Sequence, residues 1–298
     1  MIHEGKSLSE YNDYRTLART ISLIENESTG YEDILKQLKF SETKVIGITG
    51  APGAGKSSLT DALIGEMIAH KKKVGVLCVD PSSPFNKGAL LGDRIRMSEW
   101  YNNPNVFIRS LASKGALGGL HPKIVEITDV MKNAAFDYII VETVGVGQSE
   151  IDIASLADIT VLVLVPEGGD VIQTMKAGIM EIADVFVINK YDRPGADTYL
   201  NHVKQMLAPA FYRTKKEIPI LKTIASQKEG IKELYTILTD ATFDDNIEQK
   251  LELITEKVWQ IIGSKKMKSI DRASIKNELL KELANKDFNL YRFAERYA

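Results

Sequence analysis

The sequence predicts an α/β fold, a mostly parallel sheet covered by helices on both faces, with helical extensions before and after it. Three observations predict this. Short, continuous apolar runs recur between Lys44 and Ser226 without the apolar–polar alternation of a half-exposed strand. Segments of helical period lie between them. A glycine-rich loop joins the first apolar run to the first of these helices. Strands buried on both faces read as unbroken apolar runs, and parallel neighbours need crossovers, usually helices.

The elements follow in order. Residues 1–43 are expected to form a helical extension, because RTLARTISLIEN places Leu17, Ile21 and Ile24 at helical spacing and YEDILKQLKF repeats the habit at Ile34, Leu35 and Leu38. Residues 44–240 are expected to form the core. Its strands are read at KVIGIT, VGVLCVD, YIIVE, ITVLVLVP, DVFVIN and IPILKTIA, with a helix through Leu63 and Met67 after the first. Helical patterns then take over, in EGIKELYTIL, KLELITEKVWQII and SIKNELLKELA. Residues 241–298 are expected to be a helical dimerisation segment, in which Leu251, Ile254 and Trp259 serve core or dimer packing.

Composition narrows the function. At 298 residues and 44% hydrophobic, the chain can bury one sizeable core plus an appendage. A formal net charge of -2 lacks the basic field expected of a nucleic-acid binder. The single cysteine, Cys78, lies in an apolar run and cannot form an internal disulfide, which suits a reducing cytoplasm. No apolar run reaches the roughly 20 residues that span a bilayer, and the first residues lack a signal-peptide pattern. No membrane role is expected. His3, His70, His121 and His202 are too scattered for a metal-ligand spacing, and His121, in GLHPK, is expected in a turn.

Gly50-Ala-Pro-Gly-Ala-Gly55-Lys56-Ser57 fits the phosphate-loop pattern GxxxxGK[ST], between an apolar strand and a helix. That context makes the fold a P-loop NTPase. Gly50, Pro52, Gly53, Ala54 and Gly55 are expected to wrap phosphate, all but Pro52 offering a backbone N–H, and the start of the helix at Lys56, Ser57 and Ser58 adds its own. Lys56 is expected to reach the β- and γ-phosphates, and Ser57 to ligate Mg²⁺.

Asp80 and Glu142 each end an apolar run. Carboxylates at the carboxyl ends of parallel strands face the ligand crevice, so either could hold Mg²⁺, directly or through water. Gly145, in ETVGVGQSE, could bring its N–H to the γ-phosphate, making this loop a nucleotide-sensitive switch. Gln148 could position a water. Asp93, in LLGDRIRM, is undecided by spacing alone. Asp80, Glu142, Gly145 and Gln148 join Lys56 as catalytic candidates.

Asn189-Lys190-Tyr191-Asp192 is an NKxD following an apolar strand. The carboxylate of Asp192 can accept from both N1–H and the N2 amino group of guanine. Adenine offers an acceptor at N1 and no amino group, and each unmet buried polar group costs about 1–3 kcal/mol. Lys190 can lie along the purine face, and Asn189 can tie this loop to the phosphate loop. Backbone at Ala225-Ser226, ending the last apolar run, could meet the guanine O6.

Taken together, RTLARTISLIEN, GITGAPGAGKSSL, VDPSSPFNKGALLGDRIRM, FIRSLASKGALGGL, DYIIVETVGVGQSE, GGDVIQTMKAGIMEIADVFVINKYD and the closing IAS closely resemble the MeaB/ArgK family. These are SIMIBI-class P-loop GTPases that accompany adenosylcobalamin-dependent acyl-CoA mutases, including methylmalonyl-CoA mutase. The resemblance implies Mg-dependent GTP hydrolysis, with GDP as product, coupled to gating cofactor loading, protection and reactivation of such a mutase. It matches Asp80, Asp93 and Glu142, beside Ser57, to the acidic positions around Mg²⁺. It implies switches at DPSSP to LLGD, at ETVGVGQSE and at Glu167 to Lys176. It also implies a homodimer in the cytoplasm, and cobalamin held by the partner rather than by this chain.

Two departures from the family pattern stand out, Glu167 after Pro166 and Asn86-Lys87 in the first switch. Rival readings are a metallocentre-insertion GTPase, a P-loop kinase of a small molecule, and a non-catalytic nucleotide-dependent binding module.

Overall fold

A computed structural model describes residues 13–80, 97–112, 120–143, 152–166, 183–214, 218–240, 247–268, 270–283 and 288–297. Among them, seven parallel strands form one sheet in the order β3-β2-β4-β1-β5-β6-β7. The strands are β1 (Lys44–Thr49), β2 (Val74–Asp80), β3 (Val106–Ala112), β4 (Tyr138–Glu142), β5 (Ile159–Leu164), β6 (Val185–Ile188) and β7 (Ile220–Lys222). From β1 the chain crosses first toward β2 and β3, then later to the other side, toward β5, β6 and β7. Crevices outside the carboxyl ends of strands near such a reversal are where ligands bind in open α/β sheets.

The helices are α1 (Tyr14–Glu25), α2 (Tyr31–Lys36), α3 (Lys56–Ala69), α4 (Ile124–Lys132), α5 (Ala196–Thr214), α6 (Ile231–Thr239), α7 (Ile247–Lys268), α8 (Arg272–Glu282) and α9 (Leu290–Ala294). Strand side chains alternate between faces, so each strand feeds two cores. Val161, Val163, Val185 and Val187 join Leu59 and Leu63 of α3 and Leu234 of α6. Their neighbours Leu162, Leu164, Phe186 and Ile188 join Leu200, Val203 and Leu207 of α5. Cys78 is buried in β2, as its apolar run implied.

The sequence reading lacked β3. This edge strand runs through Arg109 and Ser110, which interrupt its apolar pattern. The polarity has a local cause: Arg109 pairs with Glu25 at 2.8 Å and donates to Ser22 Oγ at 3.1 Å. The ring of Tyr14 meets Phe107 and Phe136, and its hydroxyl donates to the Pro104 carbonyl at 2.9 Å. Asp13 caps α1 by accepting from the N–H groups of Arg15 and Thr16. Leu17, Ile21 and Ile24 are fully buried, and α1 packs on α4.

The chain divides into two compact units, residues 1–246 and 247–298. In the second, Asp271 caps α8 and Asn289 caps α9. Phe293 is buried between the rings of Phe288 and Tyr297, and Arg296 pairs with Glu282. Leu251, Ile254, Val258, Trp259 and Ile262 of α7 are exposed among the described residues.

Candidate active site

Strand register brings the functional loops to one end of the sheet. Ile48 of β1 pairs with Glu142 of β4, Thr49 with Leu162 of β5, Leu164 with Ile188 of β6, and Ile188 with Lys222 of β7. The phosphate loop, Glu142, Asn189 and the 225–227 turn therefore leave neighbouring strand ends.

The phosphate loop needs its glycines at two contacts. At Gly50, φ is +139°, and a Cβ would lie 2.2 Å from the Val163 carbonyl oxygen. At Gly55, φ is +91°, and a Cβ would lie 2.3 Å from Asn189 Nδ2. Both positions exclude a side chain by conformation and by space. Pro52 and Gly53 are exposed at the loop crest, Ala54 is buried beneath it, and Ser58 is half-buried on the first turn of α3. The N–H groups of that turn have no intrahelical acceptor, so they are available to an anion.

Lys56 is buried, and its ammonium donates to the carbonyls of Gly50 at 2.8 Å and Ala51 at 3.1 Å. The lysine thus folds back over the mouth of its own loop, holding a positive charge where phosphate would enter. Ser57 donates to Glu142 Oε1 at 2.6 Å, and Thr60 Oγ1 lies 2.8 Å from Glu142 Oε2. Glu142 is only 3% exposed. A buried anion is costly unless hydrogen-bonded, and these two hydroxyls meet that need. Beside it, Thr143 donates to the hydroxyl of Thr49 at 3.0 Å.

Asn189 is the junction between the two nucleotide loops. Its amide donates to the Ala54 carbonyl at 2.9 Å. Its Oδ1 accepts from Thr223 Oγ1 and from the Ala225 N–H, both at 3.1 Å. Thr223 also donates its backbone N–H to Ile188 and accepts from the Tyr191 N–H, so it is stitched to the base loop three times. Lys190 is half-buried with φ at +55°, and Asp192 and Ser226 are exposed. Tyr191 donates to Asp197 Oδ1 at 2.5 Å under the Lys222 ammonium, which sits 4.5 Å from the ring centroid. The Tyr191 hydrogen bond, with Lys222, holds the Asp197 carboxyl below its usual range.

The predicted residues divide cleanly. The phosphate loop, Lys56, Ser57, Glu142, Asn189, Lys190, Asp192, Ala225 and Ser226 gather at these strand ends, on the loops, on the first turn of α3 and at the end of β4. Asp93, Gly145, Gln148, Asn86-Lys87, the 167–176 segment and the Asp80 side chain lie outside the described residues. Sequence reasoning missed Thr60 and Thr223. A second hydroxyl one helical turn after Ser57 was the signal for Thr60. A threonine just ahead of IAS was the signal for Thr223. His121 is buried, and its Nδ1 accepts from the Lys123 N–H at 3.0 Å in the turn ahead of α4.

Ser57 and Glu142 both offer oxygen atoms, the ligand type that suits Mg²⁺. No helix among the described residues is long and apolar enough to cross a membrane.

Comparison with known proteins extends these findings. A family model described as methylmalonyl Co-A mutase-associated GTPase MeaB matches residues 17–275. A putative GTPase of Pyrococcus abyssi is 40% identical over 312 residues, covering 99% of this chain and 95% of that protein. A fused isobutyryl-CoA mutase of Geobacillus kaustophilus is 37% identical over 245 residues, 76% of this chain but 22% of that protein. The crystal structure of an LAO/AO transport system kinase superposes with a TM-score of 0.65 at 24% identity, covering 100% of this chain and 98% of that one, which shows a shared fold.

Proposed function

We propose, from the premise that the chain belongs to the methylmalonyl-CoA mutase-associated GTPase family, that its described site binds guanine nucleotide with Mg²⁺ and serves an acyl-CoA mutase. The protein is a P-loop GTPase of that family. The observation that carries the site reading is Asn189, whose single amide bonds both the phosphate loop and the turn at Ala225. Guanine recognition falls to Asp192, with Lys190 along the ring and the Ala225–Ser226 backbone at O6.

Ser57 and Glu142 would hold Mg²⁺, joined by Asp80 and Asp93 as the family resemblance implies. When bound, the ion neutralises charge on the β- and γ-phosphate oxygens. Lys56 exchanges its two loop carbonyls for phosphate oxygens, so its charge meets the negative charge that builds on the leaving group. The phosphate-loop N–H groups and the start of α3 orient the triphosphate. Gly145 and Gln148, outside the described residues, are the sequence candidates for reaching the γ-phosphate and for positioning a water. Positioning and charge account for such catalysis in P-loop enzymes, so slow turnover by the isolated protein is expected.

The partner assignment is supported by the family and by the fused mutase, a protein in which a segment similar to this chain forms part of a longer mutase polypeptide. The exposed apolar residues of α7 support a homodimer formed through the C-terminal helices. The cofactor of the mutase stays with the mutase.

The test is hydrolysis of GTP and ATP with Mg²⁺ while an adenosylcobalamin-dependent acyl-CoA mutase is titrated in. Slow, GTP-selective turnover that rises severalfold at saturating mutase is expected. GTP-selective turnover indifferent to the mutase would remove the partner assignment and keep the nucleotide chemistry.

A further inference from the structure

We propose that Thr60 is a positioning residue for the metal site, holding the Glu142 carboxylate in the orientation that presents Oε1 beside Ser57. The proposal rests on the reading of Ser57 and Glu142 as the Mg²⁺ pair. Thr60 is fully buried, one helical turn beyond Ser57 on α3, so both hydroxyls face the same strand end. Each takes a different carboxylate oxygen, Ser57 at Oε1 and Thr60 at Oε2. Two donors on two oxygens fix the carboxylate against rotation about its last bond, a torsion that is otherwise broad.

The Thr60 hydroxyl has one proton and two acceptors in reach, Glu142 Oε2 at 2.8 Å and the Lys56 carbonyl at 3.0 Å. A hydroxyl bonding the carbonyl four residues back is an ordinary helical habit. Here the carboxylate outcompetes it. An ionised carboxylate oxygen has no proton to offer, so two bare oxygens would face each other at 2.8 Å if the hydroxyl pointed elsewhere. The Lys56 carbonyl already has the regular helical N–H of Thr60. A charge-assisted bond is also the stronger of the two. Once Ser57 turns its oxygen to a metal ion, Thr60 remains as a fixed anchor for Glu142.

The experiment uses the full-length protein and a fluorescent GDP analogue, with Mg²⁺ titrated in and a parallel measurement in EDTA. Thr60→Val is expected to raise the half-saturating Mg²⁺ on the order of tenfold, the worth of a charged buried hydrogen bond. Its affinity for the analogue in EDTA is expected to stay within about twofold of the parent on the same reasoning. Thr60→Ser should restore the parent midpoint. Thr60→Ala and Thr60→Ser share a loss of the methyl and differ in the hydroxyl, so that pair decides the matter even if valine is not accommodated. An unchanged midpoint in Thr60→Val or Thr60→Ala, with Ser57→Ala shifted, would overturn the role of Thr60 and leave the metal reading standing. Equal losses with Mg²⁺ and in EDTA would also overturn it, since packing alone gives that pattern. If Ser57→Ala leaves the midpoint unchanged too, the metal reading falls and the proposal with it.

Discussion

Replacing Asn189 with alanine removes three hydrogen bonds at once, to the Ala54 carbonyl, the Thr223 hydroxyl and the Ala225 N–H. At about 0.5–1.5 kcal/mol net for each, the loss is about 1.5–4.5 kcal/mol. The site is buried, with Asn189 only 2% exposed, which places the loss in the upper part of that range. A water filling the vacated space would pull it down. For a unit of this size, each kcal/mol moves the melting temperature by about 2–4 °C, so Asn189→Ala should melt about 3–18 °C lower. Its stabilisation by GDP should also shrink, because the phosphate and base loops no longer share an anchor. Calorimetry with and without GDP measures both. A variant melting within about 1 °C of the parent, with an equal GDP shift, would refute the junction as a source of stability and of loop coupling.

Gly55→Ala places a methyl against Asn189 Nδ2 at a φ of +91°, so nucleotide binding by isothermal titration should be lost while far-UV circular dichroism is retained. Burial raises the Tyr199 hydroxyl to about 12 from 10.0. A pKa raised in the folded state contributes stability that is complete below the unfolded value and lost as pH rises through the folded one. The melting temperature should therefore fall between pH 10 and pH 12, and less steeply in Tyr199→Phe. If α7 joins two copies, Val258→Glu with Ile262→Glu should halve the mass seen by analytical ultracentrifugation and leave GDP binding intact.

Much of the sheet was legible because strands buried on both faces keep no polar period, and β1, β2, β4, β5 and β6 all read that way. β3 was not, because Arg109 answers to Glu25 of α1, a partner 84 residues earlier that no local pattern reveals. β7 ends at Lys222, before the apolar run does, and the next residue, Thr223, gives its hydroxyl to Asn189. The phosphate loop and NKxD were legible for the opposite reason, as their chemistry fits within eight residues or fewer of contiguous chain. Thr60 matters through Glu142, 82 residues away, and such a link exists only once β4 lies beside β1. The apolar pattern of α7 was visible, but an amphipathic stripe does not say whether its cover comes from the same chain.

The docking of α1 has a consequence for how the chain reaches its native state. Tyr14 bonds Pro104, 90 residues further on, and Glu25 waits for Arg109. During synthesis at about 5–20 residues per second, those partners follow α1 by about 5–18 s. For that interval Leu17, Ile21 and Ile24 have no sheet or α4 to cover them. The first described helix is thus seated only after β3 and α4 have been made, and until then the nascent chain presents an apolar stripe to whatever meets it at the ribosome.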